Sequence, residues 1–112
     1  MIATITLNPA IDRTVVVDDF EFGAVNRVQS VREDMGGKGI NVARILISLG
    51  SEAKAIGFIG RQNLGHVNNL LERDHIPTDF VQIDAATRTN TKLIERASRT
   101  TTDINEAGFT VS

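Results

Sequence analysis

The stretch Met35-Gly36-Gly37-Lys38-Gly39-Ile40-Asn41 decides the fold that we predict for this chain. Its three glycines permit backbone conformations that other residues avoid, and they let main-chain N–H groups approach an anion without a Cβ in the way. A helical pattern begins immediately afterwards, so unpaired N–H groups and the positive end of the helix dipole lie at the same place. With Lys38 adding a positive charge, the stretch predicts a loop that holds a phosphate or a sugar oxygen.

The glycine stretch matches neither of the two common nucleotide-binding fingerprints. Lys38 is followed by glycine instead of serine or threonine, and the earlier glycine of a P-loop is missing, as is the third glycine of the dinucleotide fingerprint. A glycine-rich turn between a strand and a helix, with a solvated lysine, is equally typical of this composition. The residues outside the stretch have to decide between the two interpretations.

The residues that follow the glycines predict alternating helices and strands. Positions 39–49 form a largely apolar helical pattern with a polar stripe at Asn41, Arg44 and Ser48, and Gly50 is a typical helix stop. An apolar strand is predicted next, followed by a second helix that Pro77 prevents from extending, and then by another strand. These elements cover residues 53–59, 64–73 and 80–83.

Strand patterns also occur before the glycines and near the end of the chain. Alternating or β-branched residues predict strands over 2–7, 14–17 and 25–33. Residues 89–96 and 100–104 predict a polar hairpin, which suits a lid better than a core. The chain ends on Ser112, which stands where a helix N-cap would, so we expect a truncated protein.

Composition limits the classes of function that this chain can have. Its 112 residues, 41% of them hydrophobic, suffice for one compact domain. Its net charge is -2, so the chain lacks the positive electrostatic field that attracts nucleic acid or an anionic membrane. The absence of cysteine fits a reducing compartment, so the cytoplasm is the default localisation. Neither a signal peptide nor a membrane-spanning segment is predicted.

Three segments, in this order and spacing, carry a resemblance to a known family. They are Thr6-Leu7-Asn8-Pro9-Ala10-Ile11-Asp12, then Gly36-Gly37-Lys38-Gly39-Ile40-Asn41-Val42-Ala43-Arg44, then Thr87-Arg88-Thr89-Asn90-Thr91-Lys92. The chain resembles the ribokinase-like, PfkB-type carbohydrate kinases over essentially its whole length. The resemblance implies an α/β fold: a partial parallel sheet with flanking helices, and a small β-sheet lid inserted at about residues 13–34 and 88–105.

The same resemblance implies a substrate site for a phosphorylated ketose. Asp12 would accept hydrogen bonds from sugar hydroxyls, and Arg88 would reach from the lid toward the substrate's phosphate, where its planar fork suits two oxygens. The remaining substrate-binding residues that the resemblance implies are Gly36, Gly37, Lys38 and Asn41. Without the family context, an isolated aspartate such as Asp12 is more typical of a turn.

The resemblance assigns catalysis to a part of the family that this sequence does not contain. A Gly-Ala-Gly-Asp segment supplies the catalytic base in these kinases, and ATP and Mg²⁺ are held by the same carboxyl-terminal half. We therefore expect no catalytic, cofactor-binding or metal-binding residue within the 112, and an isolated chain that is inactive. A sheet lacking its later strands exposes an edge, which predicts a homo-oligomer formed through that edge or through the lid strands.

Three interpretations of function remain open at the level of the sequence. The first is the substrate-binding part of a kinase that acts on fructose 1-phosphate, with tagatose 6-phosphate or fructose 6-phosphate as other acceptors. The second is a non-catalytic module that binds a sugar phosphate or dimerises. The third is an α/β fragment in which the glycine stretch is only a turn.

Overall fold

The computed structural model describes residues 1–110, so the predicted helix cap at Ser112 lies outside the described residues. Within that range, no helix is long and apolar enough to span a membrane. The elements, in chain order, are β1 (Ile2–Thr6), β2 (Ala10–Val17), β3 (Ser30–Gly36), α1 (Lys38–Ser48), β4 (Ala53–Gly60), α2 (Leu64–Arg73), β5 (Thr78–Ile83), β6 (Arg88–Glu95) and β7 (Thr100–Ile104).

A parallel core sheet holds three of the strands, in the order β1-β4-β5. Both helices pack on one face of this sheet, because small or branched residues of β4 point toward them and share one buried cluster with them. The cluster contains Ile40 and Ala43 of α1, Ala53, Ala55 and Ile59 of β4, and Val67, Leu70 and Leu71 of α2. The opposite face carries Ile5, Leu7, Ile56, Phe58 and Val81, which line a shallow apolar depression and are not covered by the described helices.

The other four strands form a separate lid sheet in the order β3-β2-β6-β7. β2 runs parallel to β6, while the outer pairs, β2 with β3 and β6 with β7, are antiparallel. Two lid residues, Ile11 and Met35, are opposite each other and belong to the same buried cluster as the helices. The base of the lid is therefore part of the hydrophobic core, while its outer end extends away from it.

Most of the predicted elements are confirmed, including the polar hairpin of β6 and β7. The strand predicted over 25–33 is wrong in its first half, because β3 begins only at Ser30. Asn26 explains the difference: its side chain accepts a hydrogen bond from the Glu21 N–H at 2.8 Å and donates to the carbonyls of Glu21 and Ala24. A side chain that satisfies neighbouring backbone groups in this way stabilises a turn instead of a strand.

The glycine stretch is also shorter as a loop than predicted. Met35 and Gly36 are the last residues of β3, and α1 begins at Lys38, so Gly37 alone joins the strand to the helix. Gly37 has φ of 125°, a conformation that favours glycine. A Cβ at this position would also lie 2.7 Å from Cγ2 of Thr6, so both conformation and space require glycine here.

Candidate functional site

Asp12 is the centre of the site, and it lies within a strand. It is the third residue of β2, where it stands opposite Asp34 of β3 and Asn90 of β6. An isolated aspartate is more typical of a turn, and the residue type alone therefore did not indicate this strand position. The strand residue Gly36 lies diagonally across from Asp12, and a Cβ on Gly36 would overlap the Asp12 carboxylate. Glycine at position 36 gives that carboxylate the room it occupies.

The polar residues around Asp12 share one face of the lid sheet, because side chains alternate along each strand. Three registers define this face: Gly36, Ala10 and Arg88 form the first row, and Asp34, Asp12 and Asn90 form the second. The third row is Arg32, Thr14, Lys92 and Asp103. We call these three rows the lid polar face.

A cavity of about 390 Å³ separates the lid polar face from the helices. Asp12 and Asn41, two of the predicted site residues, line it together. The other lining residues are Thr14, Arg32, Asp34, Met35, Arg44, Asp74 and Lys92. Lys38 and Arg88 are not among the lining residues, so the structure brings the predicted site residues together only in part.

The first turn of α1 begins at Lys38, two residues after the glycine that gives the Asp12 carboxylate its room. Gly37 is the N-cap and makes no side-chain cap bond, while the N–H of Asn41 donates to the Gly37 carbonyl at 2.9 Å. The N–H groups that precede Asn41 have no partner within the helix, and they carry the positive end of its dipole. Lys38 is exposed at this end. The turn is thus an electropositive edge next to Gly36 and Asp12.

Arg44 lines the cavity, and the sequence interpretation did not select it as a site residue. Its guanidinium donates to Oδ1 of Asn41 at 2.8 Å, to the carbonyl of Met35 at 2.6 Å and to Oδ2 of Asp74 at 3.1 Å. These bonds join α1, the end of β3 and the end of α2. Because Arg44 occupies the Asn41 oxygen, the Asn41 amide group is left to donate. The polar stripe of Asn41, Arg44 and Ser48 is the signal that could have identified Arg44.

Arg88 lies beside Asp12 on the neighbouring strand but is held at the base of the lid. Its guanidinium donates to the carbonyls of Asn8 and Glu106, both at 3.3 Å, and its buried Nε has no partner within residues 1–110. The Glu106 side chain accepts from the Thr89 N–H at 3.0 Å, so the segment after β7 crosses β6 at this point. Long bonds and an unpartnered nitrogen leave Arg88 with unused donor capacity.

The electrostatic setting of Asp12 follows from this arrangement. Partial burial in the concave face raises the pKa of Asp12, and the nearby charge of Arg88 opposes that rise. Asp34 raises the pKa of Asp12 further, while Lys92 and Arg44 lower it. The hydrogen bond from Arg32 lowers the pKa of Asp34 itself. A carboxylate surrounded by cations in a concave site is suited to accept hydrogen bonds from ligand hydroxyls.

Lys92 is a second residue that the sequence interpretation missed as a site residue. It was quoted only as the last residue of a family segment, and one strand residue gives no sign of which cavity it lines.

In residues 1–110, no group of three or more histidine, aspartate or glutamate side chains is placed to hold a metal ion. We assign no step to a metal here.

Comparison with known proteins places the chain in a family. The sequence model of the family described as "pfkB family carbohydrate kinase" matches residues 4–110. A 1-phosphofructokinase from Xanthomonas campestris pv. campestris is 47% identical over 106 residues, which cover 95% of this chain and 33% of that protein. The chain spans about a third of the length of the curated relatives that it matches.

Solved structures share the fold of this chain over nearly all of its length. Escherichia coli phosphofructokinase-2 in complex with fructose-6-phosphate is 30% identical, with a TM-score of 0.85 over 96% of this chain and 35% of that one. The same E. coli protein in a tetrameric inhibited form gives a TM-score of 0.83 at the same identity and coverage. The family match over residues 4–110 and the agreement in fold over 96% of the chain lead to one conclusion: this chain belongs to the pfkB family of carbohydrate kinases.

Proposed function

We propose that this chain is the acceptor-binding and lid-bearing part of a kinase that transfers a phosphoryl group from ATP to fructose 1-phosphate, giving ADP and fructose 1,6-bisphosphate. The observation that carries the proposal is the Asp12 carboxylate, seated against Gly36 and facing a cavity lined by three cationic side chains, the Asn41 amide and two further carboxylates. Relatives named 1-phosphofructokinase, 38% to 47% identical, support this acceptor over other ketose phosphates.

Asp12 and Asn41 would bind the sugar ring from two sides of the cavity. An ionised Asp12 has only acceptor sites, which suits ketose hydroxyls, and the Asn41 amide group can donate to a ring or hydroxyl oxygen because Arg44 occupies its oxygen. Gly36 and Gly37 would let the sugar approach the backbone. The first-turn N–H groups of α1 then favour an oxygen that carries negative charge.

Arg88 and Lys38 would attract the negatively charged end of the acceptor. Arg88 has unused donor capacity at the base of the lid, and Lys38 adds charge at the start of α1. ATP and Mg²⁺, with the catalytic base, would be held outside the described residues. A coupled assay on the purified 112-residue chain is therefore expected to give no ATP-dependent turnover, and measurable turnover would place the base within this chain.

We also propose that the chain forms a homo-oligomer. The uncovered apolar face of the core sheet, with Leu7 at 63% and Val81 at 59% exposure, supports association, as do the free outer edges of the lid sheet. Light scattering coupled to size exclusion is expected to give a mass above one chain. A monomer at every concentration would contradict this part of the proposal.

Calorimetry with the 112-residue chain tests the acceptor directly. We expect saturable heat with fructose 1-phosphate, weaker heat with tagatose 6-phosphate and fructose 6-phosphate, and loss of binding in Arg88→Ala and Lys38→Ala. Lys54→Ala is the matched control, because Lys54 lies on β4 and pairs only at 3.8 Å with Asp79, away from the lid. Equal heats for all three ketose phosphates would remove the assignment to fructose 1-phosphate, and no heat at all would remove the site.

A further inference from the structure

Lys92 occupies a central place on the lid polar face that no assigned role explains. It lies opposite Thr14 on one side and Asp103 on the other, in the third row of the face. Two cavities meet at this row: the one of about 390 Å³ next to the helices, and one of about 230 Å³ toward β7. Asp12, Thr14 and Lys92 line both, so Lys92 stands where the two cavities join.

Lys92 differs from the arginines near it because its charge has no partner in the described part of the chain. Arg32 pairs with Asp34 at 2.9 Å and Arg44 pairs with Asp74 at 3.1 Å, and Arg88 donates to two carbonyls. Lys92 forms no hydrogen bond or ion pair among residues 1–110, although Asp12 and Asp103 are its carboxylate neighbours on the face. An ammonium group left free beside a concave surface is available to a ligand anion.

The spacing along β6 places one cation on each side of Asp12. Arg88, Asn90 and Lys92 alternate onto one face, and each step of two residues spans about 6.6 Å, so the backbones of Arg88 and Lys92 are about 13 Å apart. Asp12 stands opposite Asn90, at the midpoint between them. Both side chains can therefore extend toward a ketose whose hydroxyls bind Asp12.

We propose that Lys92 binds the phosphate group that the acceptor ketose already carries and thereby selects phosphorylated over unphosphorylated sugars. The inference rests on the proposed function, and it adds a phosphate contact from the outer rows of the lid to the one expected from Arg88. A lysine acts on phosphate as a compact point charge, and the exposed Lys92 is accessible from both cavities that it lines.

Calorimetric titrations of the 112-residue chain with fructose 1-phosphate and with fructose test this role. Lys92→Gln is expected to weaken fructose 1-phosphate binding by about tenfold to a hundredfold, which is the size of a charge-assisted contact, and to leave fructose binding unchanged. Lys92→Arg keeps the charge and is expected to bind within about threefold of the unmodified chain. Lys54→Gln, a neutralised lysine outside the lid, is the matched control and is expected to change neither affinity.

Each other outcome overturns a defined part of the reasoning. Unchanged fructose 1-phosphate binding in Lys92→Gln, together with loss of binding in Arg88→Gln, removes Lys92 from the site and leaves the proposed function intact. Equal weakening of fructose and fructose 1-phosphate assigns Lys92 a structural role. An unmodified chain that does not prefer fructose 1-phosphate over fructose overturns the proposed function, and the role of Lys92 with it. Lys92→Thr, a strand-favouring residue, replaces Lys92→Gln in every comparison if circular dichroism finds the glutamine variant unfolded.

Discussion

Replacing Arg44 with methionine is the perturbation that best tests how the site is held. Methionine keeps an unbranched side chain that can pack along α1, but it removes every donor of the guanidinium. Three acceptors lose their bonds: Oδ1 of Asn41, the carbonyl of Met35 and Oδ2 of Asp74. Arg44 is the residue through which α1, β3 and α2 meet, so we expect both stability and the site to be affected.

The expected loss follows from what each acceptor can do without Arg44. The Asn41 side chain is exposed and can bind water, so its loss adds little, while Asp74 keeps only a contact with Arg73 at 3.4 Å. Met35 is 1% exposed, and leaving its carbonyl without a partner costs about 1–2 kcal/mol. Adding about 1 kcal/mol for the half-buried ion pair with Asp74, we expect the free energy of unfolding to fall by about 2–3 kcal/mol.

Urea denaturation followed by circular dichroism measures this change, because the chain has no tryptophan or tyrosine for fluorescence. Arg32→Met is the matched control: it removes an ion pair from a side chain that is 76% exposed, and we expect no measurable change. A loss below about 0.5 kcal/mol in Arg44→Met would refute the reasoning, because it would mean that water replaces Arg44 at the Met35 carbonyl at little cost.

Three further predictions follow from other contacts of the site. Gly36→Ala is expected to displace the Asp12 carboxylate and to weaken fructose 1-phosphate binding by about tenfold or more in calorimetry. Gly65→Ala is the control: its Cβ would meet nothing within 4 Å, so it should leave binding unchanged and stabilise α2 by about 0.5–1 kcal/mol. Burial raises the pKa of Asp12, so ionising this carboxyl costs the folded chain more free energy than the unfolded chain. Asp12→Asn should therefore have the same urea stability as the unmodified chain at strongly acidic pH and become the more stable of the two as pH rises through that pKa. The reverse trend would contradict the sign of the pKa shift. Thr87→Val removes the hydroxyl that accepts a hydrogen bond from the buried Gly60 N–H at 2.9 Å, and it should lower the free energy of unfolding by about 1–3 kcal/mol. Thr87→Ser keeps the hydroxyl and should retain most of that stability.

The sequence alone was sufficient for the elements that local patterns determine. The helix over 64–73 and the strand from Ala53 onward have clear periodicity, and the structure places them within a residue of the prediction. The strand predicted from Val25 failed because alternation alone does not reveal that Asn26 bonds to the backbone of a preceding turn. Periodicity describes which faces a segment could present, and side-chain hydrogen bonds decide whether the segment is extended.

The site was predictable only where a single residue type carries its own constraint. Gly36 and Gly37 follow from the backbone approach and positive φ that glycine permits, and the structure places them against Asp12 and Thr6 as such constraints require. Arg44 and Lys92 could not be selected in this way. The importance of Arg44 comes from its bonds to Asp74, 30 residues away in sequence, and to the Met35 carbonyl of another element, and that of Lys92 comes from strand register. Neither relation is visible in a local pattern.

The register of the lid shows how the hydrophobic core determines the position of the polar site. Ile11 and Met35 are opposite each other, are 2% and 1% exposed, and belong to the same buried cluster as the helices. Because side chains alternate along a strand, burying these two residues forces Asp12, Asp34 and Gly36 onto the other face of the lid. A slip of one residue would bury a carboxylate and expose the isoleucine, so apolar burial fixes the register far more strongly than any contact among the polar residues could. The position of the Asp12 carboxylate over Gly36 is therefore a consequence of core packing, and the proposed acceptor would meet a site that is already formed.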